Sequence, residues 1–227
     1  MGIVTITEDT CKNPITMIGK YAGACWGSDT NDDVKNYKRG LKCIQDGHGR
    51  TTEFPDVYMI IDGYSARVIR EWYTHIGGAP TRLQASTRYI DYEKGFDYIT
   101  PHTIKEDAKC YYDDAMKFIQ KTLQELERLG VPREDCALLL PLGMTTKITC
   151  KHNFRNLTDM SRQRMCTRAY WEYRDLFRDV AKALSEYSEE WKTLVEMCFM
   201  PKCEYLGYCP ESKGCGRKPA KGQHLKN

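Results

Sequence analysis

The chain has 227 residues, 41% hydrophobic and 29% charged, which is ordinary for a soluble globular protein and enough for one well-filled domain. A formal net charge of +3 is too weak to argue for nucleic acid, although it leaves small anions such as nucleotides open. No run approaches the ~20 consecutive apolar residues of a membrane span, and no basic region followed by an apolar run marks a secretory signal, so a cytoplasmic protein is expected.

In chain order, residues 31–46 read as a helix with an acidic, capping start at Asn31-Asp32-Asp33 and Gly47 beyond its end. Val57-Tyr58-Met59-Ile60-Ile61 reads as a strand from its β-branched and aromatic content, and Gly63 is expected to break it. Ser65 then caps a helix presenting Val68, Ile69 and Trp72. From Thr74 to Tyr89, Gly77, Gly78 and Pro80 predict an irregular loop, where sites tend to lie. A helix is predicted over 106–129, with Tyr112, Ala115, Ile119, Leu123 and Leu126 on its buried face and Gly130 at its end.

Leu138 to Leu140 is expected to be buried, and Met144 to Cys150 to be a strand. One long helix is predicted over 153–185, with Phe154, Leu157, Met165, Ala169, Tyr173, Phe177, Val180 and Leu184 as its core face; a shorter one follows over 188–198. Long helices on a small mixed sheet give an α+β, single-domain fold over residues 1–199, with a Cys- and Lys-rich tail, 200–227, wrapped on it.

Asn153 and Arg164 are eleven residues apart, which at ~3.6 residues per turn puts both on the stripe of Leu157 and Met160. A permanent charge in an apolar stripe either pairs with something or binds something. Eleven cysteines is an odd number, so complete internal pairing is impossible, and without a signal peptide reduced thiols are the expectation. Cys11, Cys25, Cys43, Cys110, Cys136, Cys150 and Cys166 read as small buried hydrophobes. Cys198, Cys203, Cys209 and Cys215 are spaced more loosely than the tight pairs of zinc sites, and free thiols, a disulfide or zinc all remain open. Lys213, Arg217, Lys218, Lys221 and Lys226 read as a solvated basic end.

Three blocks in order, across roughly residues 40 to 185, resemble the flavin-dependent thymidylate synthases. Gly47-His48 and Glu53 are similar to the family's Gly-His-x-Ser/Thr-Pro-Phe-Glu-His segment, with Arg50 at the Ser/Thr, Thr51 and Thr52 for Pro-Phe, and Phe54 for the second His. His75, Ser86, Thr87, Arg88 and Tyr89 are similar to the hallmark Arg-His-Arg-x-x-Ser-x-Asn-Glu-x-Ser-x-Arg-Tyr, with Gln84 where a Glu is usual. Leu140-Pro141-Leu142, Asn153, Arg155, Leu157, Arg164 and Trp171-Glu172 look like the C-terminal signature. Thr74, Ile76 and Ala137 stand at family arginines, and the loop from Arg70 to Ser86 is two residues longer, so the hallmark loop is rebuilt. Arg50, Arg82 and Arg168, or the amides of Gly77-Gly78, are candidate replacements.

The resemblance implies that Arg164 is the catalytic contact to the pyrimidine of dUMP, with Gln163 beside it, and that Gln84, Ser86, Thr87 and Arg88 hold the nucleotide, Ser86 and Arg88 at its phosphate. It implies that His48, Glu53, His75, Asn153, Arg155 and Asp159 line FAD, with no metal. The implied reaction is reductive methylation of dUMP at C5 with methylenetetrahydrofolate and NADPH as co-substrates, no cysteine nucleophile, and a homotetramer whose sites are shared between subunits. The rebuilt loop keeps two alternatives open: a diverged enzyme modifying C5 of UMP or another nucleotide with a methyl or hydroxymethyl group, and a non-catalytic nucleotide- or flavin-binding homologue.

Overall fold

The computed structural model describes residues 2–92 and 94–223; Lys226 of the expected basic end lies outside the described residues. The strands are β1 (Ile3–Ile6), β2 (Asp56–Ser65), β3 (Thr81–Gln84) and β4 (Thr145–Asn153), in the sheet order β1-β2-β4-β3. Around them in sequence run α1 (Pro14–Cys25), α2 (Asp33–Gln45), α3 (Ala66–Trp72), α4 (Glu106–Arg128), α5 (Arg133–Cys136), α6 (Phe154–Arg164), α7 (Trp171–Tyr187), α8 (Glu189–Cys198) and α9 (Lys202–Leu206). The class is α+β, as expected. No helix among the described residues is long and apolar enough to cross a membrane.

Two compact units share the chain. The first takes the residues up to Ile3, Ile61–Thr74 and Arg82–Thr149; the second takes Val4–Ile60, His75–Thr81 and everything from Cys150 onward. In the first, α4 and α5 enclose a core of Tyr92, Phe96, Met116, Leu123, Cys136 and Met144. In the second, Phe154 packs between Trp191 and Phe199 at ring separations of 5.9 and 6.1 Å, above the buried Tyr173, Phe177, Val180 and Leu184 of α7.

The expected strand at 57–61 runs on to Ser65: Gly63 takes φ +75° inside β2 and does not end it, a conformation open to glycine within a bent strand. Val57, Met59 and Ile61 are fully buried at alternate positions, the period of a strand with one covered face. Ser65 caps α3 as expected, its hydroxyl accepting from the Val68 N–H at 3.2 Å, and Val68, Ile69 and Trp72 are buried. The expected loop of 74–89 contains β3, with the Ala85 N–H donating to the Lys147 carbonyl at 2.8 Å; Gly77, Gly78 and Pro80 all precede the strand.

Three further expectations are corrected. Ala115 is exposed and Met116 takes its place inside, because α4 carries a second apolar face of Tyr111, Ala115 and Phe118 turned outward. Leu138 and Leu139 are exposed (85% and 43%) on a 3-10 turn rather than buried. The single helix of 153–185 is two, α6 and α7, separated by residues 165–170. There the Arg174 guanidinium donates to the carbonyls of Thr167 and Ala169 at 2.9 and 2.5 Å, satisfying groups the helix would otherwise have used.

α1, which the apolar pattern did not reveal, packs against α2 through glycines. A Cβ on Gly19 would lie 1.8 Å from the Asn36 carbonyl oxygen, and one on Gly40 2.0 Å from that of Ile15, so the two backbones approach as only glycine permits. Ala at an ordinary helical Gly position gains about 1 kcal/mol. Gly40→Ala is expected instead to destabilise by about 2 kcal/mol through overpacking, lowering Tm in thermal unfolding; an unchanged or raised Tm would contradict the close α1–α2 contact.

Candidate functional site

β4 delivers its last residues directly into α6. Asn153 is the N-cap, its Oδ1 accepting from the Asn156 N–H at 2.8 Å, so it does not share a helix face with Arg164 as the spacing suggested. Its amide nitrogen reaches the Gly78 carbonyl at 3.5 Å, and Gly78, at φ +72°, leaves no room for a Cβ, which would lie 2.3 Å from Asn153 Nδ2. Gly77 and Gly78 are thus packed on the start of α6. Fully buried His152 adds a 2.6 Å bond between its Nδ1 and Asn156 Oδ1.

Arg164 ends α6. Its Nε donates to Nε2 of buried His75 at 2.9 Å, and its guanidinium lies over the Tyr173 ring at 4.5 Å. The His75 ring meets Tyr173 edge-on at 6.0 Å. A charge clamped between an acceptor and an aromatic face loses little further freedom when it meets a ligand. Tyr173 was visible in the sequence only as a core position, and buried Glu172 only as part of a motif.

Among the expected flavin residues, His48, Arg155 and Asp159 line one cavity of about 560 Å³, with Gly47, Gly49 and Arg162. Arg155 holds Glu53 at 2.7 Å, and Glu53 also pairs with Arg50 at 3.2 Å. Arg162 is bound to Asp159 at 3.1 Å, yet its buried Nε has no hydrogen-bond partner among the described residues. The lining sets Arg155 and Arg162 against Asp46 and Asp159, with His48, Thr52 and Thr158 among them, and a mixed donor and acceptor set in this volume fits a flavin nucleotide.

Gln84, Ser86, Thr87 and Arg88 belong to the first unit, and His75 and Arg164 to the second. Ser86 and Thr87 are half-buried; Arg88 is exposed, with its Nε 2.8 Å from Glu134 and its backbone N–H donating to the Ser86 hydroxyl at 3.3 Å. Of the candidate replacement cations, Arg82 is spent on the end of α3, donating to the Trp72 and Tyr73 carbonyls at 3.3 and 3.0 Å. Arg50 is committed to Glu53, and Arg168 lines a second cavity beside Arg164.

None of the eleven cysteines is in a disulfide. Cys25 and Cys110 are exposed and Cys11 and Cys166 only partly covered, so the expectation of seven buried thiols holds for Cys43, Cys136 and Cys150. No group of three or more His, Cys, Asp or Glu among the described residues is arranged to hold a metal ion. Burial pushes the Cys198 thiol up to about 11, and burial, then the Glu190 carboxylate, does the same to Cys11. At exposed Cys215 the Thr167 hydroxyl, then the Arg217 N–H, hold the thiol below its ordinary value. The thiolate is the reactive form. Cys215 is therefore expected to be alkylated by iodoacetamide before Cys198 and Cys11 near pH 8, read by peptide mass mapping; the reverse order would contradict this placement of the tail.

A family profile described as Thymidylate synthase complementing protein matches residues 6–188. A flavin-dependent thymidylate synthase of Thermococcus onnurineus is 30% identical over 185 residues, 76% of this chain and 73% of that protein. One from Nitratidesulfovibrio vulgaris is 26% identical over 214 residues, 88% of this chain and 84% of its own length. Among solved structures, the flavin-dependent thymidylate synthase of Helicobacter pylori complexed with FAD and dUMP superposes with a TM-score of 0.70 at 18% identity, covering 87% of this chain and 99% of that one. A UMP/dUMP methylase of Streptomyces cacaoi bound with 5-Br dUMP gives 0.71 at 15% identity, covering 88% and 96%. With its profile match across most of the length and the ordered junction of β4, α6 and His75 carrying the signature residues, the chain belongs to the thymidylate synthase complementing protein family, that of the flavin-dependent thymidylate synthases.

Proposed function

We propose that the protein catalyses reductive methylation of dUMP at C5 to give dTMP, with FAD as cofactor and methylenetetrahydrofolate and NADPH as co-substrates. The observation that carries this reading is the clamped guanidinium of Arg164, 2.9 Å from His75 and 4.5 Å above the Tyr173 ring. A fixed positive charge at a pyrimidine stabilises the negative charge that develops on the ring as C5 becomes nucleophilic. No protein nucleophile is needed for that role, which fits thiols raised by burial at Cys11 and Cys198. Ser86 and Arg88 hold the nucleotide phosphate, the hydroxyl and guanidinium offering parallel donors; Glu134 serves as the resting partner of Arg88. Gln84 and Thr87 complete the nucleotide contacts.

FAD, when bound, supplies the redox chemistry and mediates one-carbon transfer. His48, Arg155 and Asp159 would hold it from their shared cavity, Glu53 fixes Arg155, and Asn153 and His75 would line it from the start and end of α6. Exposed Leu138, Leu139 and Leu142, with Tyr111 and Phe118 on the outer face of α4, offer apolar surface that a partner subunit would cover; that the assembly is a homotetramer rests on the family resemblance. The setting we propose is the cytoplasm.

A second reading has its own observation. Thr74 is turned back on Glu71, its hydroxyl donating to that carbonyl at 2.7 Å, and Ile76 is 73% exposed, so neither position supplies the charge of the family arginines. A changed nucleotide preference, UMP or another pyrimidine nucleotide in place of dUMP, is the consequence to look for. The visible spectrum of the protein with FAD, titrated with dUMP and separately with UMP, tests both: a flavin spectrum perturbed by dUMP is expected, and absence of flavin binding would overturn the synthase reading. Arg164→Ala is expected to abolish turnover, and Arg88→Ala to weaken dUMP about tenfold or more through a lost charged hydrogen bond; an active Arg164→Ala protein would refute the catalytic assignment.

A further inference from the structure

A cavity of about 390 Å³ beside Arg164 owes half its wall to the segment after Pro201, which lies beyond the family match. The end of α6 contributes Arg164 and the connection to α7 contributes Thr167 and Arg168; the tail contributes Lys202, Arg217 and Lys218. The sequence suggests a solvated basic end, and solvated charges diverge. Here Arg217 and Lys218 line one cavity because the tail is fastened. The Arg162 guanidinium stacks on Tyr205 at 3.9 Å, Arg168 reaches Glu211 at 3.2 Å, and the Cys209 N–H donates to the Pro219 carbonyl at 2.7 Å.

The charges in the wall do not cancel. Arg168 is matched by Glu211, and Lys218 by Glu204 at 2.8 Å. Arg217 and Lys202 have no ion pair among the described residues. Of the thiols in the wall, burial raises Cys203, whereas the Thr167 hydroxyl and the Arg217 N–H lower Cys215. Arg162, whose buried Nε has no hydrogen-bond partner among the described residues, contributes to this wall as it does to the cavity of His48. Guanidinium forks, an ammonium and the Thr167 hydroxyl around one concavity are the donor set of a phosphate site, and the volume is that of a small-ligand pocket.

We propose that the tail closes a phosphate-binding site here, in which Arg217 and Lys202 hold a phosphate group of a nucleotide ligand beside Arg164. This goes beyond the assignment of the dUMP phosphate to Ser86 and Arg88. The phosphate can belong to NADPH, FAD or the pyrimidine nucleotide. In a family member whose hallmark loop carries Thr74 and Ile76 at charged positions, these tail residues return positive charge to the neighbourhood of Arg164.

The test uses the full chain and the double variant Arg217→Gln/Lys202→Gln, both positions being exposed. Inorganic pyrophosphate at low salt is expected to raise the Tm of the unaltered protein by mass action and to leave that of the variant nearly unmoved. Equilibrium binding of NADPH, NADH, FAD and dUMP then identifies the source, with about a tenfold to hundredfold weakening for the ligand whose phosphate sits there. Weakening of NADPH without NADH assigns the extra 2′-phosphate. The charge-conserving Arg217→Lys/Lys202→Arg protein is expected to recover most of the pyrophosphate response. Pyrophosphate stabilising both proteins equally, or neither, or unaltered affinity for all the nucleotides, would overturn the proposal. Failure of the unaltered protein to bind FAD and dUMP would instead count against the synthase reading, and the pyrophosphate response would still decide this one.

Discussion

The passage from β4 into α6 organises the second unit. Within five residues, His152 and Asn153 both bond Asn156, the Phe154 N–H donates to the Pro55 carbonyl at 2.9 Å, and Arg155 reaches Glu53 at 2.7 Å. Phe154 meanwhile sits in the aromatic core with Trp191 and Phe199. One helix start is thereby tied to the 3-10 turn Gly49–Glu53, to the glycine pair at 77–78 and to α8. Because α6 has no freedom at its beginning, Arg164 at its end is placed to within the stiffness of three turns, and the cavity of His48, Arg155 and Asp159 opens along the same helix. Catalytic groups need this kind of support, since the worth of an electrostatic contact lies in its being set before the ligand arrives.

How much of this was legible in the sequence depended on where the stabilising partner lay. α2 and α3 were readable because Asp32 and Ser65 cap them from within, bonding Lys35 and Val68 three residues on. α1 was not, because Asn13 makes no capping bond and the carboxylate of Glu190 takes that role from 175 residues away, accepting from the N–H groups of Ile15 and Thr16 at 2.7 and 2.9 Å. The break between α6 and α7 was equally hidden: residues 165–170 contain neither Gly nor Pro, and the apolar stripe continues through them. Only the folded chain shows Arg174 turning back to the freed carbonyls.

The site divides in the same way. His75 and Arg164 were each marked by the resemblance, but for different ligands, and their direct bond follows from tertiary placement alone. Tyr173 was counted in a core face, which is true of its burial and silent about the guanidinium it carries. The exposure of Leu138 and Leu139 is hidden for a related reason: hydropathy reports what avoids water and carries nothing about which segments lie near enough to cover it.

The three positions at which the resemblance expects arginine, Thr74, Ile76 and Ala137, set the remaining problem. A charged hydrogen bond contributes roughly 1.5–3 kcal/mol, so a site for anionic nucleotides that lacked Thr74, Ile76 and Ala137 as cations would bind them orders of magnitude more weakly unless charge returned from elsewhere. Arg82 and Arg50 are committed to α3 and Glu53, and the Gly78 carbonyl is turned to Asn153. Among the described residues, the cations that lack carboxylate partners and share a cavity with Arg164 are those of the tail, held there by Tyr205, Glu211 and Pro219. Arg217 and Lys202 stand exposed at the rim of that cavity, and they can serve a phosphate there because the potential it feels depends on where positive charge sits and not on which segment of the chain supplies it.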